Sequence, residues 1–214
     1  MDYWKMRTII GWLFSLLSRV EVVGAEHIPM EGGCLLVLNH ISRLDTPVLL
    51  VASPRRIYPL AADKYKNFPI FNWLLKISDV VWINRAEFDR EALLKSIDVL
   101  KRGDMLGIAP EGTRSRDSAL HKGKPGVAFL AARTGVSIIP VGITGTQSML
   151  QDFLRLRRMR IRVTFGEPFR LPKYGKLSTD ELAAATDLIM SRVAALLPPT
   201  YRGVYASTVA QSLT

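Results

Sequence analysis

The sequence predicts a single α/β domain, a mixed sheet flanked by helices, with one further helix at its N-terminal end. Three observations predict it. Short apolar, β-branched runs alternate with segments of helical period from residue 22 to residue 197. The chain has 214 residues, 48% of them hydrophobic and 22% charged, enough to bury one full core. There is no internal repeat, no low-complexity linker and no shift of composition that would mark a second domain. The expected organisation is a helix over residues 1–20, a folded domain over 21–200 and a tail over 201–214.

Residues 3–20 are strongly apolar, with Trp4, Met6, Ile9, Ile10, Trp12, Leu13, Phe14, Leu16 and Leu17 interrupted at helical spacing by Lys5, Thr8, Gly11 and Ser15. The uncharged stretch between Arg7 and Arg19 is 11 residues, short of the ~20 that a membrane-spanning helix needs. Two tryptophans and flanking basic residues suit the headgroup boundary, so a helix lying in the membrane interface is expected. A helix packed on the protein's own core and a cleaved signal peptide ending near Ala25 are the alternatives.

After this helix, Val22-Val23-Gly24 reads as a short strand, Pro29 to Gly33 as a turn and Cys34 to Leu38 as a buried strand. Asp45-Thr46-Pro47 opens a helix, with an acidic residue and proline in its first turn. Ile57 to Ala61 is a strand, Phe68 to Lys76 a helix, Val80 to Ile83 a strand and Phe88 to Lys101 an amphipathic helix stopped by Gly103. Met105 to Ala109 forms a strand, Pro110 to Lys124 a polar loop, Val127 to Arg133 a helix, and Ser137 to Gly142 and Arg160 to Phe165 two more strands. Ser178 with Glu181 three residues on starts a last helix that runs to Leu197, and the tail from Tyr201 is expected to wrap in extended form.

Lysine and arginine number 29 against 19 acidic residues, giving a formal charge of +10, so anionic partners are favoured: bilayer headgroups, phosphorylated small molecules or nucleic acid. Arg155, Arg157, Arg158, Arg160 and Arg162 make a basic run that fits headgroups, a carrier protein or nucleic acid, or simply a solvated face. The single cysteine, Cys34, excludes an internal disulfide and a thiolate metal cluster, and its apolar neighbours make it a core thiol. His27 and His121 have no partner at metal-ligand spacing and read as surface residues; no metal is expected.

Chemistry concentrates at strand ends. Asn39-His40-Ile41-Ser42-Arg43-Leu44-Asp45 places a histidine and an aspartate five apart between a buried strand and a helix. A carboxylate on one imidazole nitrogen fixes the tautomer and raises the basicity of the other, making His40 a candidate general base; the alternative is that Asp45 caps the helix and His40 makes an ordinary loop contact. Pro110-Glu111-Gly112-Thr113-Arg114-Ser115 sets a guanidinium and a glycine in one turn, a pattern suited to phosphate, and Arg85, with Lys64, supplies further strand-end or loop cations.

Together these segments resemble the glycerophospholipid acyltransferases, most of all the bacterial 1-acylglycerol-3-phosphate acyltransferases. The resemblance covers about residues 20–200 and rests on four blocks in order: Asn39-His40 to Asp45, Arg85, Pro110 to Ser115, and Ile139-Pro140-Val141. The second block departs, with Asp79 where glycine is usual and Trp82 and Asn84 in place of phenylalanine and aspartate. The resemblance implies His40 and Asp45 as catalytic residues, and Arg85, Glu111, Gly112, Thr113 and Arg114 as contacts to the acceptor's phosphate. It further implies transfer of a fatty acyl group from acyl-CoA or acyl-carrier protein to the sn-2 hydroxyl of lysophosphatidic acid, giving phosphatidic acid, without cofactor or covalent acyl-enzyme. The expected location is the cytoplasmic face of the cell membrane, on an anionic lipid surface, with no nucleic acid bound. Another lysolipid or glycerol phosphate as acceptor, or a non-catalytic basic binding module, are the competing readings.

Overall fold

A computed structural model of the chain describes residues 2–84, 89–172 and 176–211. Helix α1 (Tyr3–Leu17) leads into β1 (Ser18–Val23), followed by β2 (Cys34–Leu38), α2 (Asp45–Ala52), β3 (Ile57–Ala62), α3 (Pro69–Ile77) and β4 (Val81–Ile83). The second half runs α4 (Arg90–Lys101), β5 (Met105–Ile108), α5 (Gly126–Thr134), β6 (Ser137–Thr144), α6 (Met149–Leu154), β7 (Met159–Phe165), α7 (Thr179–Ala195) and α8 (Ala206–Gln211).

The described strands form one sheet in the order β1-β7-β6-β2-β5-β3-β4, parallel throughout except for the antiparallel β6–β7 pair. β2, central in that order, is buried at all five positions, as its unbroken apolar run requires of a strand covered on both faces. Its alternate side chains divide the core. Leu35 and Val37 join Leu106, Ile108 and the helices α4, α5 and α7, while Cys34, Leu36 and Leu38 join Met105, Ile139 and the helices α1, α2 and α3. Burying each such leucine contributes roughly 1.5–3 kcal/mol. β7 alternates instead, Met159, Ile161, Val163 and Phe165 inward and Arg160 and Arg162 outward.

Several sequence expectations shift here. The N-terminal helix stops at Leu17, and residues 18–20 belong to β1, which pairs with β7 from Ser18 onward; backbone pairing with an edge partner overrides the helical pattern. One face of α1, Tyr3, Met6, Ile10 and Phe14, packs into the core, and the rest of its apolar surface is exposed. Among the described residues no helix is long and apolar enough to cross a membrane. The tail is not extended: from Tyr201 it turns twice and forms α8, because Tyr205 and Val209, one helical turn apart, bury against α7 and its neighbours. Ser178 and Glu181 make the expected capping box on α7. His27 is not a free surface group; its Nδ1 lies 2.9 Å from the carbonyl oxygen of Phe165. Phe88 and Arg85 fall outside the described residues.

Candidate active site

In an open parallel sheet, loops at the carboxyl ends of adjacent strands converge, and ligands bind in the crevice they form. β2 lies between β5 and β6, so the loops after Leu38, Ile108 and Thr144 meet. Asn39 sets the first of them. Its side-chain amide donates to the carbonyl of Ile143 and accepts from the Ile143 N–H, both at 2.8 Å, continuing the β2–β6 pairing with a side chain in place of backbone.

The next residue, His40, donates from Nδ1 to Oδ2 of Asp45 at 2.8 Å. The same oxygen accepts the backbone N–H groups of Ile41 and Ser42, each at 2.8 Å, while Oδ1 accepts the Thr146 hydroxyl at 2.6 Å. Asp45 is wholly buried, and these four donors supply what water would otherwise give a carboxylate. Its oxygens therefore turn to the preceding loop and to Thr146, and the helix-cap alternative falls away: α2 has Leu44 at its N-cap with no side-chain bond. With Nδ1–H held by a carboxylate, Nε2 of His40 carries the free lone pair, the arrangement of a general base.

Glu111 locks the second loop to the first. Its Oε1 accepts the His40 N–H and its Oε2 the His121 N–H, both at 3.0 Å, and the Ser115 N–H donates to the His40 carbonyl at 2.7 Å. Burial pushes the Glu111 carboxyl above its usual value. Both its oxygens accept backbone N–H groups, which gives Glu111 a bracing role between the loops. Gly112 is also structural. Its φ of +71° is left-handed, a Cβ there would come within 3.0 Å of the Lys124 side chain, and its N–H donates to the Ala109 carbonyl.

Two hollows flank the His40 loop, and Tyr65 lines both. The first, about 70 Å³, is largely apolar: from His40 and Arg43 it runs over Leu49, Ile57 and Gly107 to Leu75. The second, about 470 Å³, is polar and brings Thr113, Arg114 and Arg116 against Ser42, Lys64 and Gln147. Of the residues singled out in the sequence, His40 and Asp45 thus pair directly, and Thr113 and Arg114 share the polar hollow with the same loop. Gly112 lines a different, mainly apolar cavity with Lys124, Leu93 and Ile108. Arg85 lies outside the described residues. Asp79 adopts a left-handed φ of 52°, which is the conformation that favours the glycine usual at that place in the second block.

Thr146, Arg43, Tyr65 and Gln147 escaped the sequence reading. Only Gly145, whose φ of +86° and whose absent Cβ permit an approach to the Arg160 carbonyl, carried a signal that the backbone turns sharply at Thr146.

The sequence profile of the Acyltransferase family matches residues 19–144, more than half the chain. The chain belongs to the Acyltransferase family. Among curated acyltransferases, it is 30% identical over 139 residues to a 1-acyl-sn-glycerol-3-phosphate acyltransferase of Borreliella burgdorferi, covering 64% of this chain and 55% of that protein. To the Bacillus subtilis protein of the same name it is 27% identical over 185 residues, covering 85% and 89%. The chain spans about half the length of the first curated relatives it matches. The crystal structure of the 1-acyl-sn-glycerophosphate acyltransferase PlsC from Thermotoga maritima superposes with a TM-score of 0.69 at 25% identity, over 99% of this chain and 80% of that one. The match extends the acyltransferase fold to α1 and α8, beyond the residues that the family profile covers.

Proposed function

We propose that this acyltransferase moves a fatty acyl group from acyl-CoA or acyl-carrier protein to the sn-2 hydroxyl of 1-acyl-glycerol-3-phosphate, giving phosphatidic acid for phospholipid synthesis. The observation that carries the reading is the His40–Asp45 pair, 2.8 Å apart, between an apolar hollow and a polar, cationic one. The names of the relatives support the same acceptor.

Nε2 of His40 takes the proton of the acceptor hydroxyl as its oxygen attacks the thioester carbonyl carbon. The tetrahedral intermediate then collapses, the C–S bond breaks, and the imidazolium returns the proton to the departing thiolate. Asp45 holds the ring in one tautomer and stabilises its cationic form, and no bond to the enzyme forms. A thioester is already activated, so orientation and deprotonation of the alcohol are the main requirements. Arg114, with Lys64 and Arg116 in the same hollow, takes the acceptor's phosphate, where a guanidinium can bind two oxygens at once. The apolar hollow beside His40 receives the first carbons of the transferred chain. The exposed apolar surface of α1 lies in the interface of the membrane's cytoplasmic face, which brings the site to its lipid substrate.

The test is release of free thiol from acyl-CoA, and from acyl-carrier protein, with lysophosphatidic acid, other lysolipids or glycerol phosphate as acceptor. Release that depends on lysophosphatidic acid supports the reading. Faster release with another acceptor reassigns the substrate, and no release with any of them refutes catalysis.

A further inference from the structure

Large apolar side chains are exposed on three separate elements that adjoin one another. On α1, Trp12 is 80% and Leu16 71% exposed; on α3, Ile70 is 79%; at and after the end of α6, Leu154 is 73% and Leu156 96%. Ile70 also lines a groove that the three elements share. This groove, of about 470 Å³, runs between the elements, lined by Leu13 and Leu17 of α1, Ile70 of α3, and Met149 and Arg157 of the β6–β7 connection. A contiguous apolar face of this kind, on several elements at once, marks a contact surface.

Its edge is cationic. Arg157 belongs both to the apolar groove and to a neighbouring polar hollow that holds Arg19, Arg158 and Arg160, together with Asp152, which accepts from Ser148 at 2.6 Å. Arg155 is also exposed. The Arg158 guanidinium donates to the carbonyls of Ser15 and Ser18, fastening the connection to the last turn of α1. Leu156 has a left-handed φ of 51°, a conformation rare for a leucine, and its side chain stands almost entirely in solvent.

We propose that the β6–β7 connection, residues 145–158, is a second membrane-contacting element, which docks with α1 and α3 on a bilayer that carries anionic phospholipid. Leu154 and Leu156 enter the headgroup boundary beside Trp12, and Arg155, Arg157 and Arg160 meet lipid phosphates. Apolar side chains bordered by arginines complement a surface that is hydrocarbon below and anionic above. The inference rests on the placing of α1 in the interface and extends it to a segment remote in sequence. That segment begins beside Thr146, which holds Asp45, so the docked connection and the catalytic pair are one continuous piece of structure.

Sedimentation with vesicles of phosphatidylcholine, with and without phosphatidylglycerol, tests it on the full chain. Leu154→Glu with Leu156→Glu is expected to lower partition to both kinds of vesicle by about tenfold or more. Arg155→Gln with Arg157→Gln is expected to lower it about thirtyfold on the phosphatidylglycerol vesicles alone, in line with the usual contribution of each of two basic residues at an anionic surface. Thermal unfolding at the native temperature shows that both variants fold. Native-like partition of both, with loss in a third variant that combines Trp12→Glu with Leu16→Glu, overturns the second contact and leaves α1 as the anchor. Native-like partition of all three overturns both. Arginine variants that keep vesicle binding but lose binding to acyl-carrier protein overturn the lipid assignment in favour of the carrier.

Discussion

The hydroxyl of Thr146 donates to Oδ1 of Asp45 at 2.6 Å across 101 residues of sequence, and both side chains are wholly buried. The bond completes a carboxylate otherwise held by the imidazole of His40 and two backbone N–H groups. It makes the connection after β6 part of the machinery that orients the ring.

Thr146→Val keeps the shape and removes the donor, leaving a buried carboxylate oxygen unpaired. Stability is expected to fall by roughly 1–3 kcal/mol. A carboxylate free to turn misorients His40, so kcat is expected to drop about tenfold, which corresponds to about 1.4 kcal/mol, with little change in either KM. Thr146→Ser restores kcat. Steady-state kinetics of the two variants beside thermal melts separate this from a purely structural loss, which the serine would not relieve.

Arg114→Ala is expected to raise the KM for the acceptor by about tenfold or more, since a charge-assisted contact contributes roughly 1.5–3 kcal/mol, and to leave the donor KM nearly unchanged. Equal effects on both substrates would remove Arg114 from the phosphate site.

Gly145 and Gly32 both have left-handed backbone, φ +86° and +77°, yet differ in surroundings. A Cβ on Gly145 would stand 1.8 Å from the Arg160 carbonyl oxygen, whereas one on Gly32 would meet nothing within 4 Å. Gly32→Ala is therefore expected to cost only the conformational penalty, about 1–2 kcal/mol. Gly145→Ala is expected to cost at least about 2 kcal/mol more and to lower kcat through the displaced Thr146. Urea titration of both variants checks the difference.

Cys34 is wholly buried, and desolvation pushes its thiol up to about 11. The folded state thus keeps a proton that the unfolded chain loses, so stability is undiminished below pH 9 and falls as pH rises through about 11. Iodoacetamide at pH 8 is expected to leave the native protein unlabelled and to label it in denaturant. Rapid native labelling would place Cys34 at the surface.

Much of this was legible in the sequence where one interaction dominates a segment. The run Cys34 to Leu38 announced a strand buried on both faces, and Ser178 with Glu181 announced the start of α7. His40 and Asp45 were legible because their pairing is local, spanning one loop. What escaped depends on partners distant in the chain. Thr146 looks like any threonine until β6 carries it beside Asp45, and nothing in residues 18–20 distinguishes helix from strand until β7 offers backbone to pair with. Tyr205 and Val209 turned the tail into a helix by burial against α7, a force that two apolar residues one turn apart only hint at. The bonds from the His40 and His121 N–H groups to Glu111 likewise join two loops that only the fold brings together.

The central claim is that His40 takes the acceptor's proton. Single-turnover transfer from acyl-CoA to lysophosphatidic acid by His40→Ala, with acceptor binding measured separately, tests it most directly. The account predicts a rate lower by roughly 10²- to 10⁴-fold with acceptor affinity nearly preserved. A rate close to that of the native protein would contradict it.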